Sequence, residues 1–136
     1  MSANNFNPKS KCILILEDDE LSGRLLQAIL VKEGFKVLLC NQGSDALEYL
    51  RNDEIEVNLI ITDIIMPVMG GFDFLDNLKN ESKSKPFMVI TSLKDKSTMD
   101  KATERGAVDY ILKPFKTSDV LMRLRKFFDK NEIMSA

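Results

Sequence analysis

Cys12-Ile13-Leu14-Ile15-Leu16 is an unbroken run of five apolar side chains, and Glu17-Asp18-Asp19-Glu20 follows it directly. A strand with one wet face alternates apolar and polar residues, whereas a strand covered on both faces reads as continuous hydrocarbon. The run is therefore a buried strand that delivers acids to its carboxyl end. Four more runs of this kind occupy residues 35–40, 57–62, Phe87–Thr91 and 110–112, each rich in Ile, Val, Leu or Phe. Between and after them lie stretches with helical spacing, the alternation that builds a parallel sheet from βα units.

The first helical stretch carries Leu21, Leu25, Ala28 and Ile29 at i, i+4, i+7 and i+8, and Gly34 supplies a stop. Residues 44–52 carry Ala46, Leu47 and Leu50, and residues 71–80 carry Phe72, Leu75 and Leu78. The fourth stretch, residues 97–105 before Gly106, has only Met99 and Ala102 as apolar anchors and is expected to dock least firmly. The fifth, residues 118–130, places Val120, Leu121, Leu124, Phe127 and Phe128 on one face. These elements predict an α/β fold, a doubly wound five-stranded parallel sheet in the order 2-1-3-4-5, the flavodoxin-like (βα)5 architecture. An eight-unit barrel would need about 250 residues, and this chain has 136. One domain over residues 11–130 is expected, with a polar tail at 1–10 and a C-terminal tail at 131–136.

Composition removes whole classes of chemistry. The chain has no His, which excludes a Ser-His-Asp or Cys-His nucleophile, His-ligated zinc, and a phosphohistidine formed on this chain. Its 2 Cys, Cys12 and Cys40, lie in apolar runs and read as small core side chains in a reducing compartment. No apolar run approaches the roughly 18 residues of a membrane span, so the expected location is the cytoplasm, without membrane attachment. Net charge is −2, with 9 basic and 14 acidic residues in 1–93 (−5) and 10 basic and 7 acidic in 94–136 (+3). The basic excess is dispersed among acids, which argues against direct nucleic-acid binding.

The right-handed crossover rule puts every strand's carboxyl end on one edge, where open α/β sheets bind ligands. The first strand runs into Glu17 and Asp18, the third into Asp63, the fourth ends at Thr91-Ser92, and the fifth runs into Lys113-Pro114. In this order the first and third strands are neighbours about 4.8 Å apart, so Asp18 and Asp63 are brought close. Two carboxylates about 5 Å apart repel by roughly 3 kcal/mol at an effective dielectric near 20. Such a cluster either shares protons or holds a cation, and with oxygen donors alone Mg²⁺ suits it best. Each residue also has an ordinary reading. Asp18 or Asp19 could cap the first helix, Asp63 could start a turn, Thr91 or Ser92 could cap the fourth helix, and Lys113 could be solvated. Convergence of all four on one edge favours the site.

The segments Ile13-Leu-Ile-Leu-Glu17-Asp18-Asp19, Leu59-Ile-Ile-Thr-Asp63-Ile-Ile-Met66-Pro67, Val89-Ile-Thr91-Ser92 and Gly106-Ala-Val-Asp-Tyr110-Ile-Leu-Lys113-Pro114-Phe115 together resemble the receiver domain of two-component response regulators. The resemblance implies that Asp63 is a phosphoacceptor, charged from a phosphohistidine on a separate histidine kinase or phosphotransfer protein. It implies that Mg²⁺ is held by Asp18, Glu17, Asp63 and the backbone carbonyl of Ile65, with Thr91 and Lys113 meeting phosphoryl oxygens. Glu17 stands where many members have Asp. Thr91 and Tyr110 would couple phosphorylation to the surface made by the fourth helix, fifth strand and fifth helix, where a downstream protein binds. The chain would be a signalling domain promoting its own phosphorylation and dephosphorylation rather than an enzyme with a separate substrate, acting as a monomer or a phosphorylation-dependent dimer. Ile65 and Leu93 flank the route of the hydrolytic water in this family, and Lys113-Pro114 is where a cis bond is expected.

Three alternatives compete with this reading. A phosphatase of the haloacid-dehalogenase type would need an acid where Ile65 stands, and a flavodoxin-type module would need a phosphate-cradling first loop where Glu17-Asp18-Asp19-Glu20 would repel it. A receiver that only docks partners would lack Mg²⁺ binding. Because only residues 131–136 follow the last helix, the chain is expected to be either a stand-alone regulator or a receiver cut from a longer protein.

Overall fold

The computed structural model describes residues 6–135, with side chains to residue 130. The expected residues 1–5 of the polar tail and residue 136 lie outside the described part. Five parallel strands form one sheet in the order β2-β1-β3-β4-β5, with β1 at Cys12–Leu16, β2 at Lys36–Cys40, β3 at Leu59–Thr62, β4 at Phe87–Thr91 and β5 at Asp109–Leu112. The helices are α1 at Glu20–Glu33, α2 at Gly43–Arg51, α3 at Gly71–Asn80, α4 at Lys96–Glu104 and α5 at Thr117–Ser135. The helical backbone of α5 continues past Lys130, through residues expected as a tail.

The sheet separates two cores. On one face Ile13, Ile15, Leu59, Ile61, Met88, Ile90 and Ile111 pack against Leu26 and Leu30 of α1 and Val120, Leu124 and Phe128 of α5. On the other face Leu14, Leu16, Ile60 and Val89 pack against α2, α3 and Ala102 of α4. All of these strand side chains are buried, which is why the runs lack polar alternation. Asp19 caps α1 by accepting from the Ser22 amide at 3.0 Å, and Gly34 ends it at φ +110°, where a Cβ would be strained.

Three expectations need correction. First, α1 turns Gly23, Leu26 and Leu30 inward; of the expected stripe only Ile29 packs against the core, while Leu21 and Leu25 are 79% and 53% exposed and Ala28 is also exposed. The helix is apolar on two sides, so spacing alone allowed either stripe to be the core face. Close approach decided it, because Gly23 leaves room for Leu39 of β2. Second, Met99 is exposed, so α4 buries Ala102 alone. Third, the stretch expected as a polar tail contains Phe6, which is buried against Phe35 and Phe128 with ring centroids 6.0 and 5.2 Å away. Residues Pro8–Ser10 form a 3-10 turn that leads from it into β1. A single aromatic among polar neighbours has no periodicity to reveal it.

The α1 assignment gives a direct test by urea unfolding. Leu30→Ala should cost about 2–5 kcal/mol as a buried truncation, and Leu25→Ala should stay within about 0.5 kcal/mol.

Candidate functional site at the carboxyl edge

Register fixes the site before any side chain is considered. Leu16 pairs with Thr62 across β1 and β3, and the ladder runs one step further as the Asp63 amide donates to the Leu16 carbonyl at 3.0 Å. The next residues in the two strands, Glu17 and Asp63, are therefore side by side. On the far side Thr91 pairs with Leu112, and the Lys113 amide donates to the Thr91 carbonyl at 2.9 Å. Lys113 thus leaves β5 at the same edge as the acids.

Its ammonium crosses to them. Lys113 Nζ donates to Asp63 Oδ2 at 2.7 Å and also bonds Glu17 Oε1. The other Asp63 oxygen, Oδ1, accepts from the Ile64 amide at 2.6 Å, and Glu17 Oε2 accepts from the Asp19 amide at 3.2 Å. Asp63 is only 6% exposed and Glu17 is buried, while Asp18 faces solvent. Carboxylate oxygens of Glu17, Asp18 and Asp63 all lie within 4.8 Å of one another. An oxygen-only cluster of three acids with one open side fits a hard divalent cation that keeps part of its water shell.

Burial pushes the Glu17 carboxyl up to about 7, with the Asp63 charge adding to the effect and the Lys113 hydrogen bond opposing it. Burial works against the Lys113 ammonium, but its bonds to Asp63 and Glu17 outweigh that and raise its pKa. The site is thus compensated mainly by one lysine.

The loop after β3 is built around Asp63. A Cβ on Gly71 would sit 2.0 Å from the Asp63 carbonyl oxygen, so only glycine lets the start of α3 approach this closely. The Gly71 amide donates to the Ile64 carbonyl at 2.8 Å. Between them Val68 adopts φ +69° inside a three-residue turn closed by the Met69 amide and Pro67 carbonyl at 2.8 Å, a strained conformation for a β-branched residue. Ile65 stands at the mouth, 67% exposed.

Thr91 is buried, and its hydroxyl accepts from the Leu93 amide at 3.3 Å. The Leu93 carbonyl accepts from the Tyr110 hydroxyl at 2.8 Å. The Thr91-Leu93-Tyr110 chain is a link that sequence reading did not foresee, because its middle member contributes only backbone. The Lys113-Pro114 bond is cis, as expected. Of the two acids expected as possible caps of the first helix, Asp19 takes that role, and α4 is capped not by Thr91 or Ser92 but by Asp95, which accepts from the Thr98 amide at 2.9 Å. That leaves Asp18, Asp63 and Thr91 to the edge.

Residues 13–125 match the family described as the response regulator receiver domain. The chain is 33% identical over 113 residues to the response regulator RppA of Synechocystis sp., covering 83% of this chain and 48% of that protein. It is 34% identical over 113 residues to the transcriptional regulatory protein PcoR of Escherichia coli, covering 83% and 49%. It spans about half the length of these curated relatives. Among solved structures, a CheY-like response regulator receiver domain protein from Methanospirillum hungatei superposes with TM-score 0.82 at 26% identity, covering 91% of this chain and 98% of that one. The non-phosphorylated HemR receiver domain from Leptospira biflexa gives 0.77 at 27%, covering 87% and 94%.

The Glu17 shift predicts a pH dependence. Its folded value of about 7 lies above its ordinary 4.5, so the folded protein holds the extra proton between the two. The stabilisation is full below pH 4.5 and is lost as pH rises towards 7. Urea midpoints without metal should therefore fall between pH 5 and 7.5, and Glu17→Gln should flatten that slope.

Proposed function

The chain belongs to the response regulator receiver domain family, and from that premise we propose that Asp63 accepts a phosphoryl group from a phosphohistidine on a partner protein. The observation that carries the proposal is the Asp63 carboxylate, held between the Ile64 amide and the Lys113 ammonium beside Glu17 and Asp18. A carboxylate oxygen of Asp63 attacks phosphorus, the P–N bond to the imidazole breaks, and the imidazole leaves with the electron pair and takes up a proton. The product is an acyl phosphate on Asp63. Such transfer passes through a loose transition state, so positioning and charge neutralisation supply most of the acceleration.

Glu17, Asp18, Asp63 and the Ile65 carbonyl would hold Mg²⁺. When bound, the ion neutralises charge on the phosphoryl oxygens. Lys113, already at the carboxylate, turns one of its donors to a phosphoryl oxygen, and the Thr91 hydroxyl meets another. As Thr91 turns to the phosphoryl group it gives up the Leu93 amide, which leaves the loop held by the Tyr110 hydroxyl alone. The surface of α4, β5 and α5 then changes, and its exposed Met99, Leu112 and Met122 suit contact with a downstream protein. The proposed role is in the cytoplasm, as a monomer or a phosphorylation-dependent dimer; no described helix is long and apolar enough to cross a membrane.

Amide NMR with Mg²⁺ and acetyl phosphate, or with beryllofluoride, tests the acceptor. The parent should shift resonances around Asp63, Thr91 and α4, and Asp63→Asn should leave them unmoved. A parent that takes no phosphoryl group under these conditions would refute the proposal.

Ile65 and Leu93 bear on lifetime. Neither hydrocarbon side chain can orient a water for attack on the acyl phosphate, so the phosphorylated form should be long-lived. Ile65→Asn and Leu93→Glu are expected to speed loss of phosphate several-fold, followed by phosphate-affinity gel electrophoresis. Unchanged rates in both variants would sink this reading.

A further inference from the structure

Helix α4 is held to the rest of the protein unequally along its length. Its only buried residue, Ala102, lies in the second half. Just beyond, at the C-cap, Arg105 makes a two-pronged ion pair with Asp76 of α3, Nε to Oδ1 at 2.9 Å and Nη2 to Oδ2 at 3.1 Å. The same guanidinium lies over the Phe72 ring of α3, 4.5 Å from its centroid. Its remaining nitrogen, Nη1, donates at 3.1 Å to the Lys101 carbonyl, which also accepts the Arg105 amide at 3.3 Å, so side chain and backbone close the last turn on the same oxygen. One side chain therefore caps the end of α4 and fastens it to α3. Exposed ion pairs contribute little in general, but a bidentate fork stacked on an aromatic face is the exception in both geometry and strength.

The first half of α4 has no counterpart to this. Among the described residues, Asp95 spends its carboxylate on Thr98 of the same helix, and Lys96 pairs with Asp100 of the same helix at 2.7 Å. Residues 94–97, 99 and 100 are exposed. The anchorage of this end lies before the helix, at Leu93, whose carbonyl takes the Tyr110 hydroxyl and whose amide rests on Thr91.

We propose that Arg105 is a hinge pin: α4 turns as a lever about its C-terminal end, fixed on α3 by Asp76 and Phe72, while its N-terminal end follows the Leu93 loop. A displacement of that loop is then delivered as a tilt, largest near Lys96 and smallest at Arg105. A helix held evenly along its length would translate instead. This rests on packing alone and stands or falls separately from phosphorylation of Asp63.

Hydrogen exchange of the full chain, resolved by residue, provides the test. Asp76→Asn is the informative variant because it breaks the ion pair without touching α4, and Arg105→Lys keeps the charge but loses the fork and the stack. In both, the amides of residues 102–107 should exchange at least tenfold faster than in the parent, while those of Met99 and Asp100 change less than twofold. Circular dichroism and the urea midpoint of each variant confirm that the fold is kept, and Phe72→Leu should reproduce the effect in part. Unchanged protection of residues 102–107 in both Asp76→Asn and Arg105→Lys would overturn the proposal. So would equal acceleration along all of α4, which would make the pair a general tether instead of a pin.

Discussion

One ammonium group makes the carboxyl edge of this sheet possible. Parallel pairing in register places Glu17 and Asp63 on adjacent strands at the same height, and neither can move away without breaking the ladder. Lys113 reaches both from β5, at the far edge of the sheet. The strand order follows the same constraint, since the acids must come from neighbours and the counter-charge from a strand that ends level with them. Removing the lysine would leave two buried acids facing each other, and removing either acid would leave a half-buried cation with one partner. On the proposed reading, a divalent ion or a phosphoryl group would enter this site by exchanging with a charge already present.

Sequence reading was most informative where one physical requirement dominated. Strands buried on both faces must be hydrocarbon throughout, so all five runs were visible with ends within two residues of those observed. Acids and a lysine immediately after such runs have few places to go but the carboxyl edge. Reading failed where two requirements competed. Helix α1 carries leucines on opposite sides, and the choice between stripes depended on the space that Gly23 leaves for Leu39, a contact between segments far apart in sequence. Phe6 finds its partners only in three dimensions. Val68 is a residue type that avoids positive φ, so nothing in its identity announced the turn, which Asp63 and Gly71 impose from either side.

The two faces of the sheet are built to different standards. Helices α1 and α5 each set large apolar residues into the core, and Glu33 and Arg125 tie them together across their exposed sides. On the opposite face α2 and α3 are similarly seated, but α4 offers one methyl group and an arginine. If α4 moves as proposed, small differences in free energy would suffice to reposition it while the remaining layers stay in place. The apolar anchorage is thus distributed unequally among the elements of a single domain.

The register that aligns the site also limits how the chain can change length over evolutionary time. Glu17, Asp63 and Lys113 each directly follow the last residue of a strand. A single inserted residue there would turn the functional side chain to the opposite face, because direction alternates with every position. Among the connections at the other end of the sheet, residues 52–58, 81–86 and 105–108 bear no such phase. They can absorb insertions at the modest entropic cost of a longer loop, except where Arg105 sits. Length variation among natural homologues should therefore collect at the amino edge, and the carboxyl edge should keep its spacing even where its residues diverge.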